Sequence, residues 1–184
     1  VVHFGADVGT PRTGTLYFYN NTVINKANRA VRLFQISTSG ASVQANNNIF
    51  YNKSGNSLTT WSGNNNLSGG NNWFSTGVTE TSGLTGNVMG SEPGFTDHPW
   101  EDYRLVGGSP CVDVVNGFTP PNGYPLDQYY SKHLGNATRT DAGDLDLGAF
   151  PLGAEQTAIP TLGEWGVIVL SLVLAGLVSR KCIC

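Results

Sequence analysis

An asparagine-marked repeat constrains this chain more than any other feature. Asn21-Thr-Val-Ile24, Asn47-Asn-Ile-Phe50 and Asn71-Asn-Trp-Phe74 share one order, asparagine, polar, large apolar, large apolar, and begin 26 and 24 residues apart. The same offset carries Val31–Ile36 onto Ser57–Trp61. Short β-rich runs (Leu16–Tyr19, Ser42–Ala45, Leu58–Trp61) alternate with Asn/Gly/Ser clusters, and no helical period runs through them. A period in the mid-twenties with several short strands per repeat predicts a parallel β-helix. One coil cannot bury its own apolar face. Stacked coils can, by placing Val23 over Ile49 over Trp73 in a continuous column. Asparagine at each corner tolerates the left-handed backbone and bonds amide to amide along the stack. A solvated linker would share the Asn/Gly/Ser content, but Tyr17, Phe18, Phe34, Phe50 and Trp61 are too many rings for a tether. With about three coils, the stack is near the minimum for stability, so we expect further coils upstream and read the chain as the C-terminal piece of something longer.

Charge divides the chain. Residues 8–79 hold five bases and no Asp or Glu, whereas residues 80–155 hold eleven acids against Arg104, Lys132 and Arg139. The expected organisation is therefore coils over 1–79, an acidic closing region over 80–155 and a tail over 156–184. A net charge of −3 and a pI near 5.5 argue against nucleic acid as a main partner. Within the acidic region stand Glu92-Pro-Gly-Phe-Thr-Asp97, Asp102-Tyr-Arg-Leu105, Gly108-Ser-Pro-Cys-Val-Asp113 and Asp146-Leu-Gly-Ala-Phe150. Their order resembles the end of bacterial right-handed β-helix proteins of the choice-of-anchor Q kind. The departures are Glu92 for an Asp, Cys111 for a small residue and Pro151 where a Glu commonly stands. That resemblance implies an all-β fold, a right-handed parallel β-helix ending in an irregular capping segment, with a surface-anchoring tail after it.

The tail is built in three parts: Ile159-Pro-Thr-Leu-Gly-Glu-Trp-Gly166, an apolar run to Val178, and Arg180-Lys181. The run from Trp165 spans about 21 Å as a helix, against a hydrocarbon core of roughly 30 Å, so it serves as a temporary membrane anchor. The basic end stays cytoplasmic while the body is exported. Ile159, Pro160, Thr161, Leu162, Trp165 and Gly166 resemble the IPTL-CTERM sorting signal position by position; Arg180 and Lys181 stand where that family closes on arginines. The resemblance implies export in a Gram-negative bacterium, a hydrophobic C-terminal helix held briefly in the inner membrane, processing by an exosortase-type transpeptidase, and transfer to the cell surface or medium. Cys182 and Cys184 lie beyond the basic stop, and Cys111 stands alone in the body, so no disulfide framework is expected.

Chemistry is sparse. Glycoside hydrolysis needs two carboxyl groups about 5–9.5 Å apart, and residues 8–79 contain none. Catalysis within this chain is not expected. A polysaccharide lyase or glycoside hydrolase remains the alternative only if catalytic coils lie upstream. Arg29, Arg32 and Lys53 are candidate contacts for an extracellular polysaccharide, with Trp100 as a sugar-stacking platform; a solvated face and a packed end-cap are the blander readings. Asp141, Asp144 and Asp146 are a weak calcium candidate, against turn-forming aspartates. His3, His98 and His133 lack zinc spacing, and no other cofactor is expected. The sequence thus points to an exported surface protein that displays a rigid face for glycan or cell and matrix binding.

Overall fold

The computed structural model describes residues 2–5, 11–79, 81–121, 123–131 and 135–155. Chain contacts separate Val1–Tyr130 with Asn136–Ala154 from Ser131–Gly135 with Glu155–Cys184, and the β-fold belongs to the first unit. The apolar helix expected over the tail, with the sorting residues Ile159 to Lys181, lies outside the described residues. Among the described residues no helix is long and apolar enough to cross a membrane.

The fold is all-β. Strands β1 (Val2–Phe4), β4 (Val31–Ile36) and β7 (Leu58–Gly63) form one parallel sheet. A second takes β2 (Gly14–Tyr19), β5 (Ala41–Asn46), β8 (Leu67–Gly70) and β10 (Leu84–Thr85). A third takes β3 (Thr22–Asn25), β6 (Ile49–Asn52), β9 (Trp73–Ser75) and β11 (Val88–Gly90). Up to β9 every third strand along the chain therefore returns to the same sheet, an arrangement that fits the parallel β-helix class. The parallel pairing continues to Gly90. Beyond it, β12 (Phe95–Asp97) and β13 (Asp102–Leu105) pair antiparallel around a 3₁₀ turn at His98–Trp100. Two more short strands, β14 (Gln128–Ser131) and β15 (Gly135–Thr138), form a separate ribbon.

The register corrects the sequence reading by one residue. Val23 lies beside Phe50, not Ile49, and Val31 beside Leu58, not Ser57. The columns of the third sheet are Thr22–Ile49–Trp73–Val88 and Val23–Phe50–Phe74–Met89. Between the second and third sheets the corner carries an asparagine doublet three times over, and its two members do different work. The first (Asn20, Asn47, Asn71) adopts φ of 52°, 59° and 54°, and Gly86 continues the column at 62°. The second (Asn21, Asn48, Asn72, Asn87) builds the side-chain ladder. In each step the backbone N–H and the Nδ2 of one asparagine donate to the Oδ1 of the next, at 2.9 and 3.1 Å, 3.0 and 2.9 Å, then 3.1 and 3.3 Å.

The interior is filled by Leu33, Phe34, Ile36, Val43, Ala45, Leu58 and Leu67, with Phe50 stacked on Phe74 at a centroid distance of 5.0 Å. A second cluster lies on the other face of the third sheet, where Ile49, Tyr51 and Trp73 meet Leu105, Cys111, Val115 and Leu147. The acidic region is therefore packed along the flank of that sheet. An end-cap, as expected, would instead meet the interior column, whose last member Met89 is 49% exposed.

Candidate functional site

The flanking segment is fastened by polar groups taken out of water. Asp146, 2% exposed, accepts the backbone N–H of Asp113 at 2.8 Å and of Leu152 at 2.6 Å. Its own carbonyl accepts Asn20 Nδ2 and Arg139 Nη2, each at 2.9 Å. Arg139 is buried and pairs with Asp141 through Nε and Nη2, both at 3.0 Å. Gly148 N–H donates to Asn47 O, and Ala149 N–H to Thr22 Oγ1, so the segment is bonded to the edge of the coils. Buried charges persist only when so paired.

The three aspartates considered for calcium are thus engaged as acceptors. Asp141 binds Arg139 and the N–H of Asp146, Asp144 accepts Asn116 Nδ2 at 2.9 Å, and Asp146 holds two backbone amides. Among the described residues no group of three or more His, Cys, Asp or Glu side chains is placed to hold a metal. Burial pushes the Cys111 thiol up to about 12, so it packs as an inert apolar group.

The expected glycan contacts are divided between two faces. Arg32 projects from β4 into a concavity of about 560 Å³ on the first sheet, shared with His3, Gln35 and Thr59; Arg29 is exposed just before that strand. Lys53 belongs to the flank instead, 3.8 Å from Glu92 and 5.8 Å from the Tyr51 ring. Tyr51 donates to both Glu92 oxygens at 2.7 Å and meets the His98 ring at 5.9 Å. Burial, reinforced by Glu92, raises the Tyr51 phenol far above its ordinary value. Lys26 repeats the motif, 3.3 Å from Glu101 and 5.8 Å from the Tyr103 ring. Trp100 stands beside this cluster at 82% exposure.

Sequence reasoning missed a further aromatic group. Tyr17 on β2 and Tyr124 in a proline-flanked loop have ring centroids 5.6 Å apart and remain 39% and 56% exposed. The Tyr19 hydroxyl donates to the Tyr124 carbonyl, and the Tyr19 ring meets Phe118 at 5.7 Å. Tyr17, Tyr19 and Tyr124 line a concavity of about 410 Å³ with Thr15 and Asn21, whose apolar wall is Phe4, Leu16 and Phe18. The available signal was alternation: with Leu16 and Phe18 turned inward, Tyr17 and Tyr19 must face out.

No curated protein and no solved structure matches this chain. Residues 157–180 match the family model described as the IPTL-CTERM motif. That signal marks an exported protein whose C-terminus is processed by an exosortase-type enzyme.

Proposed function

We propose that this protein is a cell-surface β-helix protein that displays a rigid face for glycan or cell and matrix binding. In this reading the coils wind right-handed, three full coils followed by a shortened fourth. The tail holds the exported protein briefly in the inner membrane until a transpeptidase cuts near the motif and passes the body outward. The observation that carries the proposal is the match over residues 157–180. It is supported by the body, whose stacked parallel sheets suit an elongated display surface, and by a flank segment fixed through buried pairs.

Intact mass of the full-length protein from its native host, with and without the candidate sorting enzyme, tests this. A mass loss matching removal of residues beyond Thr161, seen only when the enzyme is present, is expected. An unchanged mass in both strains, with the protein in the membrane fraction, would make the tail a plain anchor and refute the sorting step.

A further inference from the structure

The outer face of the second sheet carries hydroxyl and amide groups in register. Thr15 pairs with Ser42, their hydroxyls 2.9 Å apart, and Tyr17 pairs with Gln44, which pairs with Ser68. Strand spacing sets these groups about 4.8 Å apart along the stack. At the β2 end the row meets the Tyr17–Tyr124 ring pair. The loop carrying Tyr124 is pinned by the Tyr19 hydroxyl and by Phe118, so the rings are held in place before any ligand arrives. Such preorganisation lowers the ordering cost of binding. No Asp, Glu, Lys or Arg lines the concavity among the described residues. A ligand matched to this face is uncharged, has one flat apolar side for the rings, and carries many hydroxyls for the row beside them.

We propose that the outer face of the second sheet binds a neutral saccharide chain, with a pyranose ring against Tyr17 and Tyr124 and neighbouring sugars along Thr15, Ser42, Gln44 and Ser68. This rests on the display reading above and names a site and ligand class for it. The site differs from the cationic positions Arg29, Arg32 and Lys53. Of these, Lys53 is already held by Glu92.

The test uses the full chain titrated with neutral hexasaccharides (β-1,4-glucan, β-1,4-xylan and β-1,4-mannan) and with an oligogalacturonate of equal length, monitored by calorimetry and saturation-transfer NMR. At least one neutral probe should bind. Y17A and Y124A should each weaken it about tenfold, the scale of one lost aromatic contact. Y130A, an exposed tyrosine on β14, should leave it unchanged, and so should raising salt to about 1 M, since no ion pair is involved. Two tyrosine variants keep the test informative if one fails to fold. Neutral binding that survives both tyrosine changes would overturn the site. Binding of the oligogalacturonate alone, lost in R32A, would overturn this inference and leave glycan display standing. Silence from all four probes would overturn both, with the tail-processing result unaffected.

Discussion

Asn48 is the rung on which the asparagine ladder can be tested. Its side chain is fully buried. The Oδ1 accepts the N–H and Nδ2 of Asn21, and the Nδ2 donates to Phe18 O and Asn72 Oδ1, all within 2.9–3.1 Å. Asn48→Ala removes the acceptor of the Asn21 N–H and one donor to the Phe18 carbonyl. The other partners are partly spared, since Asn72 Oδ1 keeps the Asn48 N–H and Asn21 Nδ2 keeps Tyr19 O. Two groups left short at about 1–3 kcal/mol each give a destabilisation of roughly 2–6 kcal/mol. In urea, with a slope of about 2 kcal/mol/M, the midpoint falls by roughly 1–3 M at unchanged slope. Asn21→Ala is the control. That side chain only donates, and its backbone N–H keeps Asn48 Oδ1, so the cost should stay near 1 kcal/mol, about the net worth of an ordinary hydrogen bond. Equal costs at the two positions would refute the argument, because the ladder predicts a penalty set by orphaned backbone groups and not by the asparagine as such.

Three further outcomes rest on named contacts. Because the Tyr51 phenol is raised in the fold, the native state holds its proton longer than the unfolded chain. Its contribution is fully present below about pH 10 and is lost as pH rises above that, by up to about 1.4 kcal/mol per pH unit. Tyr51→Phe should flatten that alkaline limb in urea melts taken at stepped pH, and an unchanged limb would count against the buried phenol. Asp141→Ala strands the buried Arg139 guanidinium and should cost about 3–5 kcal/mol in the same urea assay, while the double change with Arg139→Met should cost less than the two single changes together. Gly69→Ala sets a Cβ 2.2 Å from Ala45 O at φ +118° and should cost more than about 3 kcal/mol; Gly77→Ala, strained at φ +90° but in open space, should cost about 1 kcal/mol by thermal unfolding.

The stack was legible because coil-to-coil contacts repeat, and repetition leaves a mark in one sequence. The slip of one residue arose at the doublet Asn20-Asn21. Matching the letters aligns Asn21 with Asn47, whereas the backbone aligns Asn20 with Asn47 by their shared positive φ. Coil length also varies. The offset is 27 residues from Val23 to Phe50, 24 from Phe50 to Phe74 and 15 from Phe74 to Met89, so no fixed period could hold the register. The acidic region was less readable. Its bonds to the coils, such as Asn20 to Asp146 across 126 residues, occur once and leave no period. Its aspartates, closely spaced in Asp-Ala-Gly-Asp-Leu-Asp, each accept a hydrogen bond from a partner that their spacing does not reveal. The tail was legible as a motif, which depends on letters and not on packing. The Tyr124 contact was hidden because a loop more than about one hundred residues away supplies the second ring.

Burial along the strands explains why the flank lies where it does. In β6 the residues Ile49, Phe50 and Tyr51 are all buried, and so are Trp73, Phe74 and Ser75 in β9. A strand buried on both faces reads as a continuous apolar run, whereas a strand with one wet face alternates. Strand β5 does alternate, Ala41, Val43 and Ala45 buried and Ser42, Gln44 and Asn46 half-buried. The third sheet therefore needs a second layer, and Leu105, Cys111, Val115 and Leu147 supply it. Glu92 and Glu101, brought by that layer, pair with Lys53 and Lys26, the two lysines of the coils. The coil faces that this layer leaves uncovered are those of the first and second sheets. Of the three cations proposed from sequence as glycan contacts, Lys53 therefore stands on the flank beside Glu92, whereas Arg29 and Arg32 stand at the first sheet.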